Sequence, residues 1–310
     1  MSRERATDAL VVQTPAKVNL HLEVLAKRPD GYHDLETLLV AVSLYDTLEF
    51  RPAGSGALSL TCNRSDLTCG PENLVLKAAE ALRRHTGHTG GAAIHLTKVI
   101  PMQAGLAGGS SDAAATLKGL NRLWQLGLET AELARIGAGI GSDVPFFFAL
   151  PAAWCTGRGE IVEPIAPGRE LELVIVRPAV GLATAEVFRR VKIPDQQVNG
   201  AAINAAFTAG DVEAIGRLLH NRLQEPAEEL CPEVRELREQ LAAAKPAGCL
   251  MTGSGSAVFA LCRDRAEAVR VARMMGAAVS GSPPHDGAAG LSPARMPGSR
   301  WELHMVRSCV

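Results

Sequence analysis

The chain has 310 residues, 47% of them hydrophobic, and a formal net charge of −1, with 32 Lys and Arg against 33 Asp and Glu. A near-neutral balance with no run of like charges leaves no basic footprint for nucleic acid and no charge pattern that would draw the chain to a membrane surface. Apolar content of this order builds a sizeable core without disulfide or metal staples, and the length suits about two domains at roughly 150 residues each.

Residues 1–8 mix charges of both signs and lead into a strand-like run, not into the apolar core of a signal peptide. Residues 10–25 carry Val18, Leu20, Leu22 and Val24 at period two, which predicts a strand. Strands are also predicted over 38–50 and 57–62. A helix is predicted over 73–85, with Leu74, Ala78, Ala81 and Leu82 on one face, and then a strand over 92–99. A glycine-rich loop follows, opening a helix that ends near Leu126 with Ala113, Leu117, Leu120 and Trp124 as its buried stripe. Next come a helix over 130–137 and strand-like runs at 146–149, 153–156 and 171–176.

From 184 to 244 the pattern is mostly helical, with Pro194, Pro226 and Pro232 as punctuation. Strands over 248–252 and 257–262, a helix over 264–275 and a strand over 301–306 close the chain, and the Pro-, Gly-, Ser- and Ala-rich stretch 280–299 reads as a loop. A domain boundary is expected near residue 165, giving parts 1–165 and 166–310. The longest strongly apolar stretch, 144–154, is broken by Pro145 and Pro151 and falls short of the roughly 18 residues a membrane span needs. Seven cysteines, none in a C-x-x-C pair, read as reduced thiols of a cytoplasmic protein, Cys155, Cys249 and Cys262 in apolar surroundings. A Cys62–Cys69 bridge is the alternative for that pair.

The segment Pro101, Met102, Gln103, Ala104, Gly105, Leu106, Ala107, Gly108, Gly109, Ser110, Ser111 carries the most chemistry. Glycine adopts backbone angles closed to other residues and lets main-chain N–H groups approach an anion. Gly105, Gly108 and Gly109 are the candidates, with the helix expected to start at Ser110, Ser111 and Asp112. Its free N–H groups and dipole favour phosphate. No lysine follows the last glycine as it does in the common phosphate loop. The plain alternative is a strand-to-helix turn with Ser110 as cap.

This segment resembles the central motif of the GHMP kinase superfamily. The run from Thr14 to Leu20 resembles its first motif and the run from Met251 to Phe259 its third, in the same order. Within that superfamily, Ala16-Lys17-Val18-Asn19-Leu20, Arg28-Pro29-Asp30-Gly31-Tyr32-His33, the run from Ile140 to Phe147, and Gly157-Arg158-Gly159-Glu160 resemble the 4-diphosphocytidyl-2-C-methylerythritol kinases of the non-mevalonate isoprenoid pathway. The resemblance implies an α+β, two-domain GHMP-kinase-like fold with the active site in the cleft between domains. Residues 1–165 would bind ATP and 166–310 would form the substrate side.

It also implies roles. Asp143 matches the catalytic aspartate, able to accept the hydroxyl proton as phosphoryl transfer proceeds, and Lys17 matches the lysine placed beside it. Asn19, two residues along the same strand face, would bind the substrate. Tyr32 and His33 would recognise cytosine, a ring stacking on the pyrimidine and the imidazole meeting its edge. Phe188, on the helix after Thr184, falls where the family has a second ring, and Thr184 is counted with it on the substrate side. Asn73 matches a position near adenine.

Each role has a plain alternative: a turn aspartate, a strand lysine paired with a carboxylate, an edge asparagine, a core phenylalanine, a helix cap. Mg²⁺ would accompany ATP. The sequence holds no dedicated carboxylate cluster, so no metal-ligand residues are assigned; a hydroxyl of Ser110 or Ser111, the phosphates and water would complete the shell.

Overall fold

In a computed structural model of the chain, residues 9–54, 56–276 and 301–309 are described. The first eight residues and the loop expected over 280–299 lie outside them. The described residues form two compact units that interleave along the chain. Unit 1 takes the described part of Met1–Pro15 with Tyr45–Ile100 and Gly108–Phe148; unit 2 takes Ala16–Leu44, Pro101–Ala107 and the described part of Ala149–Val310.

Two long strands, β1 (Leu10–Lys27) and β2 (His33–Ala53), each contribute to both units. In unit 1 the second half of β2 pairs with β4 (Gly91–Thr97), and β4 pairs in parallel with β3 (Leu58–Cys62). Three helices belong to this unit, α1 (Leu74–Thr86), α2 (Gly108–Leu123) and α3 (Thr130–Ala138). Asn73 caps α1, its side chain accepting from Val75 N, and Gly87 closes the helix at φ 70°. The buried face of α1 is Val75, Ala78, Ala79 and Leu82; Leu74 and Ala81 are only half-buried. In α2, Ala113, Leu117 and Leu120 are buried as the spacing predicts, whereas Trp124 lies past the helix end and is half-buried.

Residues 146–149 are not a strand. Pro145–Phe148 form a 3-10 turn in which Phe146 and Phe147 are buried, their rings edge to face at 5.2 Å. A short apolar run does not distinguish a strand from a buried helical turn, and the φ fixed by Pro145 suits the turn.

In unit 2, β5 (Ala152–Thr156) pairs with the first half of β2 and with β6 (Ile161–Pro164), an exposed edge strand. Its short, mostly exposed sequence has no alternation to betray it. A second sheet has the order β11-β7-β10-β9, all antiparallel: β7 (Glu172–Pro178), β9 (Gly248–Met251), β10 (Val258–Cys262) and β11 (Trp301–Arg307). The mostly helical stretch resolves into α4 (Thr184–Arg190), α5 (Ala201–Ala209), α6 (Val212–Leu218), α7 (Gln224–Leu230) and α8 (Pro232–Ala243), interrupted by the two-residue β8 (His220–Asn221), which pairs in parallel with β1.

Pro226 does not break the chain. It sits in the first turn of α7, where a missing N–H costs little, and Pro232 opens α8 for the same reason. With α9 (Arg265–Met274), these elements enclose one core that includes Val174, Val176, Leu237, Leu241, Val258 and Val271.

None of the seven cysteines is bridged in a disulfide, Cys62 and Cys69 included. Burial pushes the Cys262 thiol up to about 12, which makes it inert at neutral pH. Among the described residues no helix is long and apolar enough to cross a membrane.

The packing of α2 yields a stability prediction. A Cβ placed on Gly119 would lie 2.4 Å from Cε2 of the fully buried Phe50 ring. Ala ordinarily improves a helix interior by about 1 kcal/mol over Gly. Here Gly119→Ala is expected to destabilise by roughly 1–3 kcal/mol through overpacking, read as a lower urea midpoint. A raised midpoint would contradict this packing.

Candidate active site

The glycine-rich loop is held by its carbonyls. Within unit 2, Arg177 donates to Met102 O at 2.9 Å, Ala257 N to Ala104 O at 3.2 Å and Lys17 N to Leu106 O at 3.2 Å. Positive φ occurs at Gln103 (53°), Gly105 (75°) and Ala107 (55°). Gly108 and Gly109, expected to supply such angles, are instead the first residues of α2. Gly108 is needed for space: a Cβ there would meet Lys98 Nζ at 2.7 Å and Ile100 Cγ2 at 2.9 Å. Gly105 is needed for both reasons, since its Cβ would lie 2.0 Å from Thr252 O.

The helix therefore starts two residues earlier than expected, and Ser110 is in its first turn, not at its cap. Pro101, Ala104, Leu106, Gly108 and Ser111 are buried, Met102, Gly105, Ala107 and Ser110 half-buried, and Gln103 and Gly109 exposed. The first four N–H groups of α2 have no helical acceptor, and with the positive end of the dipole they suit an anion.

In unit 1 a buried charge cluster holds this helix start. Lys98, 6% exposed, donates to Asp46 Oδ2 and to Asp112 Oδ2, the latter at 2.7 Å. Asp46 Oδ1 accepts from Val99 N (2.6 Å) and Ile100 N (2.8 Å). Burial pushes the Asp112 carboxyl up to about 7; Lys98 opposes that shift and the like charge of Asp46 adds to it. Burial alone would lower the Lys98 ammonium, but Asp112 and Asp46 outweigh it and hold the ammonium above its usual value. Sequence reading passed over both Lys98 and Asp46, whose partners lie 52 residues apart.

Ser111 is also structural. Its hydroxyl donates to Pro15 O at 2.6 Å and lies 2.6 Å from Thr14 Oγ1. It is therefore already committed, which leaves half-buried Ser110 as the other hydroxyl at this helix start. Among the described residues no group of three His, Cys, Asp or Glu is placed to hold a metal.

Asp143 lies half-buried in the turn that precedes Pro145. Gly137 makes room for the turn, since a Cβ there would meet Val144 at 2.7 Å. A Cβ on Gly141 would lie 3.7 Å from Ser110 Oγ, so the Asp143 turn neighbours the N-terminal end of α2 within one unit. Asn73 is the cap of α1, its amide engaged at both ends, with Val75 N and with Thr68 O.

In unit 2 the face of β1 opposite its apolar residues is polar and buried: Lys17, Asn19, His21 and Glu23 are each 3% exposed or less. Lys17 Nζ donates to Asn19 Oδ1 (2.7 Å) and Gly105 O (2.6 Å). Asn19 Nδ2 donates to Thr37 Oγ1 at 2.8 Å, and Asn19 N donates to Thr252 Oγ1 at 3.0 Å. Asn19 is thus no edge residue. Gly253, at φ 55°, lets the backbone close on this group, as a Cβ would come within 3.1 Å of Lys17 Nζ. Thr252 stands in the third motif but had drawn no role; Thr37 carried no signal at all.

At the hairpin between β1 and β2, Tyr32 is 53% exposed and Arg158 lies over its ring at 4.8 Å. Glu160 holds Arg158, accepting from its backbone N (2.6 Å) and its Nε (3.2 Å). His33 stacks on Phe188 with ring centres 5.3 Å apart. Burial, then the charge of Lys27, keeps the His33 pKa below its ordinary value, so the ring is neutral at pH 7. Phe188 also packs on the unit 2 core, so its two expected readings coexist. Thr184 is exposed, with its hydroxyl 2.8 Å from Ser254 Oγ.

The GHMP kinases N terminal domain family matches residues 73–149, and the GHMP kinases C terminal family matches 203–281. With this fold and these motifs, the chain is a small-molecule kinase of the GHMP class. A 4-diphosphocytidyl-2-C-methyl-D-erythritol kinase from Pelotomaculum thermopropionicum is 44% identical over 259 residues, 83% of this chain and 90% of its own. A crystal structure of 4-(cytidine 5'-diphospho)-2C-methyl-D-erythritol kinase aligns at a TM-score of 0.73 and 32% identity, covering 96% of this chain and 99% of that one. Homoserine kinase from Cytophaga hutchinsonii aligns at 0.69 and 19% identity over 88% and 91% of the two chains, which is likeness of fold alone. The chain belongs to the 4-diphosphocytidyl-2-C-methyl-D-erythritol kinase family.

Beyond Asn19, the polar face of β1 becomes a structural clasp. Glu23 accepts from Arg222 (2.7 and 2.8 Å), Val198 N (2.8 Å) and Val24 N (2.9 Å), and lies 3.1 Å from His220 Nε2. Burial would raise its pKa, but these partners, Arg222 first, hold it at about 2. His21 stacks on Trp154, and burial, then the nearby His220, lower its pKa from 6.5 to about 4.

A histidine whose folded pKa is depressed contributes stability above pH 6.5 that is lost as the pH falls towards 4, because the unfolded chain takes up the proton first. The urea midpoint should fall over that window. His21→Phe, which keeps a ring on Trp154, should flatten the decline, and an unchanged pH profile would contradict the assignment.

Proposed function

We propose that this chain transfers the terminal phosphate of ATP to the 2-hydroxyl of 4-diphosphocytidyl-2-C-methyl-D-erythritol, giving the 2-phosphate and ADP on the non-mevalonate route to isopentenyl diphosphate. Its place in that kinase family supports the reaction, and seven cysteines without a disulfide suit a reducing cytoplasmic setting. The observation that carries the acceptor assignment is the ring cluster of unit 2. His33 and Phe188 are stacked and Tyr32 is exposed with Arg158 behind it. Together they offer aromatic faces to a pyrimidine and, in His33, a neutral ring able to donate or accept at its edge.

On this reading the first-turn amides of α2, with Gly109 open and Ser110 accessible, bind the triphosphate. Ser110 and the phosphates would hold Mg²⁺, with water completing the shell; when bound, the ion neutralises phosphate charge. Asp143 accepts the proton of the acceptor hydroxyl as its oxygen bonds to the γ-phosphorus and the bond to the ADP oxygen breaks. Lys17 offsets negative charge at the reacting groups, and the pairing of Asn19 with Thr37 and Thr252 holds Lys17 in place.

Asn19 and Thr184 serve the acceptor, and Asn73 serves the adenine side, where its bonds to Val75 N and Thr68 O fix the backbone on both sides of it. The nucleotide role is concentrated before residue 165 and the substrate role after it, with Tyr32, His33 and Asn19 as acceptor residues, and Lys17 as a catalytic one, from the first part.

Asp143→Asn is expected to lower turnover about 100- to 10,000-fold while ATP affinity, measured by calorimetry, stays within about twofold. Near-wild-type turnover would remove Asp143 from the mechanism. Tyr32→Ala should raise KM for the cytidyl substrate roughly tenfold and leave KM for ATP unchanged. In an ADP-release assay the cytidyl alcohol should be turned over and homoserine and mevalonate should not; the reverse preference would refute the acceptor.

A further inference from the structure

With Asp143 taking the proton and the start of α2 the triphosphate, as proposed, transfer requires that the two be held in register. The turn bearing Asp143 touches α2 at both ends. At its beginning, Gly141 lies beside Ser110 in the first turn of α2. At its end, Lys118 of the same helix donates from Nζ to Phe147 O at 2.6 Å, with the Phe148 ring 4.9 Å from the ammonium.

Ten residues of helix separate Gly108 from Lys118, about 15 Å along the axis. One rigid rod therefore carries the anion-binding amides at its start and, further along, a bond to the segment that follows the base. Gly137 adds a third contact, packed on Val144 and lying near Leu117 of the same helix. All of these residues belong to unit 1.

Lys118 is an unusual choice for this position. It is half-buried, with its ammonium over the Phe148 ring, and burial, then the charge of Arg122, lower its pKa. Covering apolar surface alone would be served by Leu or Met. A carbonyl at the end of a 3-10 turn has no partner inside the turn, and a charged donor is the strong way to hold it.

We propose that Lys118 is a positioning residue for the reaction: by holding Phe147 O it fixes the turn that aims Asp143 relative to the phosphate-binding end of α2. Its role in the proposal is to act through Asp143, by way of the Phe147 carbonyl, and not by contact with nucleotide or acceptor. Misplacing a reacting group by about 1 Å costs roughly 100-fold in rate, which bounds the expected effect.

The test is a double-mutant cycle on the full chain with ATP and 4-diphosphocytidyl-2-C-methyl-D-erythritol. Lys118→Met keeps the apolar stem and removes the donor. It should lower kcat about 10- to 100-fold and leave both KM values within about twofold. In the Asp143→Asn background the same change should cost less than about twofold, because the group it positions is already gone.

A silent Lys118→Met would overturn the proposal. So would a loss that multiplies in full in the Asp143→Asn background, a KM for ATP that rises in step with the loss, or loss of ATP binding in calorimetry, since each places Lys118 in support of the helix itself. The proposal rests on Asp143 as base. That reading fails separately, if Asp143→Asn alone retains turnover.

Discussion

The arrangement depends on one buried ammonium. Lys98 lies between Asp46 and Asp112 and packs against the bare Cα of Gly108, so the first turn of α2 is fastened from below. Removing one partner from such a buried pair typically costs about 3–5 kcal/mol, because an uncompensated charge is left behind. That is a large share of the 5–15 kcal/mol by which a typical domain is stable. The cluster is weak evidence for stability as such. Its consequence is rigidity: amides that bind an anion are useful only if they already point at it. Ser111 contributes to the same end, its hydroxyl used up on Pro15 and Thr14.

The same economy governs β1. Alternate residues on one face bury Val18, Leu20, Leu22 and Val24, while the other face buries Lys17, Asn19, His21 and Glu23. Burying four polar side chains in a row is costly unless each is bonded, and three of them are bonded closely. Lys17 and Asn19 form the half of this face assigned to chemistry. Glu23, pinned by Arg222, Val198 N and Val24 N, anchors the segment that leads away from α4. His21 is the exception, held by ring contacts and kept neutral by burial. One strand thus carries the proposed reactive groups at one end and an ion pair with Arg222 at the other.

Much of this was legible in the sequence. Period-two alternation located β1 and β2, and punctuation by Gly and Pro located the loop and most helices. Three motifs in order carried the kinase class. Other features had no local signature. The 3-10 turn at Pro145–Phe148 looks like a strand because four apolar residues have no period of their own.

Gly108 looked like a residue chosen for its torsion and is one chosen for its size, a distinction that appears only once Lys98 is placed beneath it. Ser110 and Ser111 looked interchangeable until one hydroxyl proved committed. Thr37, Lys98 and Lys118 do their work through partners 16, 14 and 29 residues away, and no spacing rule reaches that far.

The central claim is that the ammonium-anchored helix start and Asp143 together direct phosphate onto the 2-hydroxyl. Phosphorus NMR of the product formed from ATP and 4-diphosphocytidyl-2-C-methyl-D-erythritol tests it most directly. Carbon 2 of that alcohol bears the methyl group and no hydrogen, so the account predicts one new phosphomonoester resonance without H–C–O–P coupling, growing with ADP. A new resonance split by a proton on the esterified carbon would place the phosphate on another hydroxyl, and no new monoester resonance would mean that the transfer does not occur.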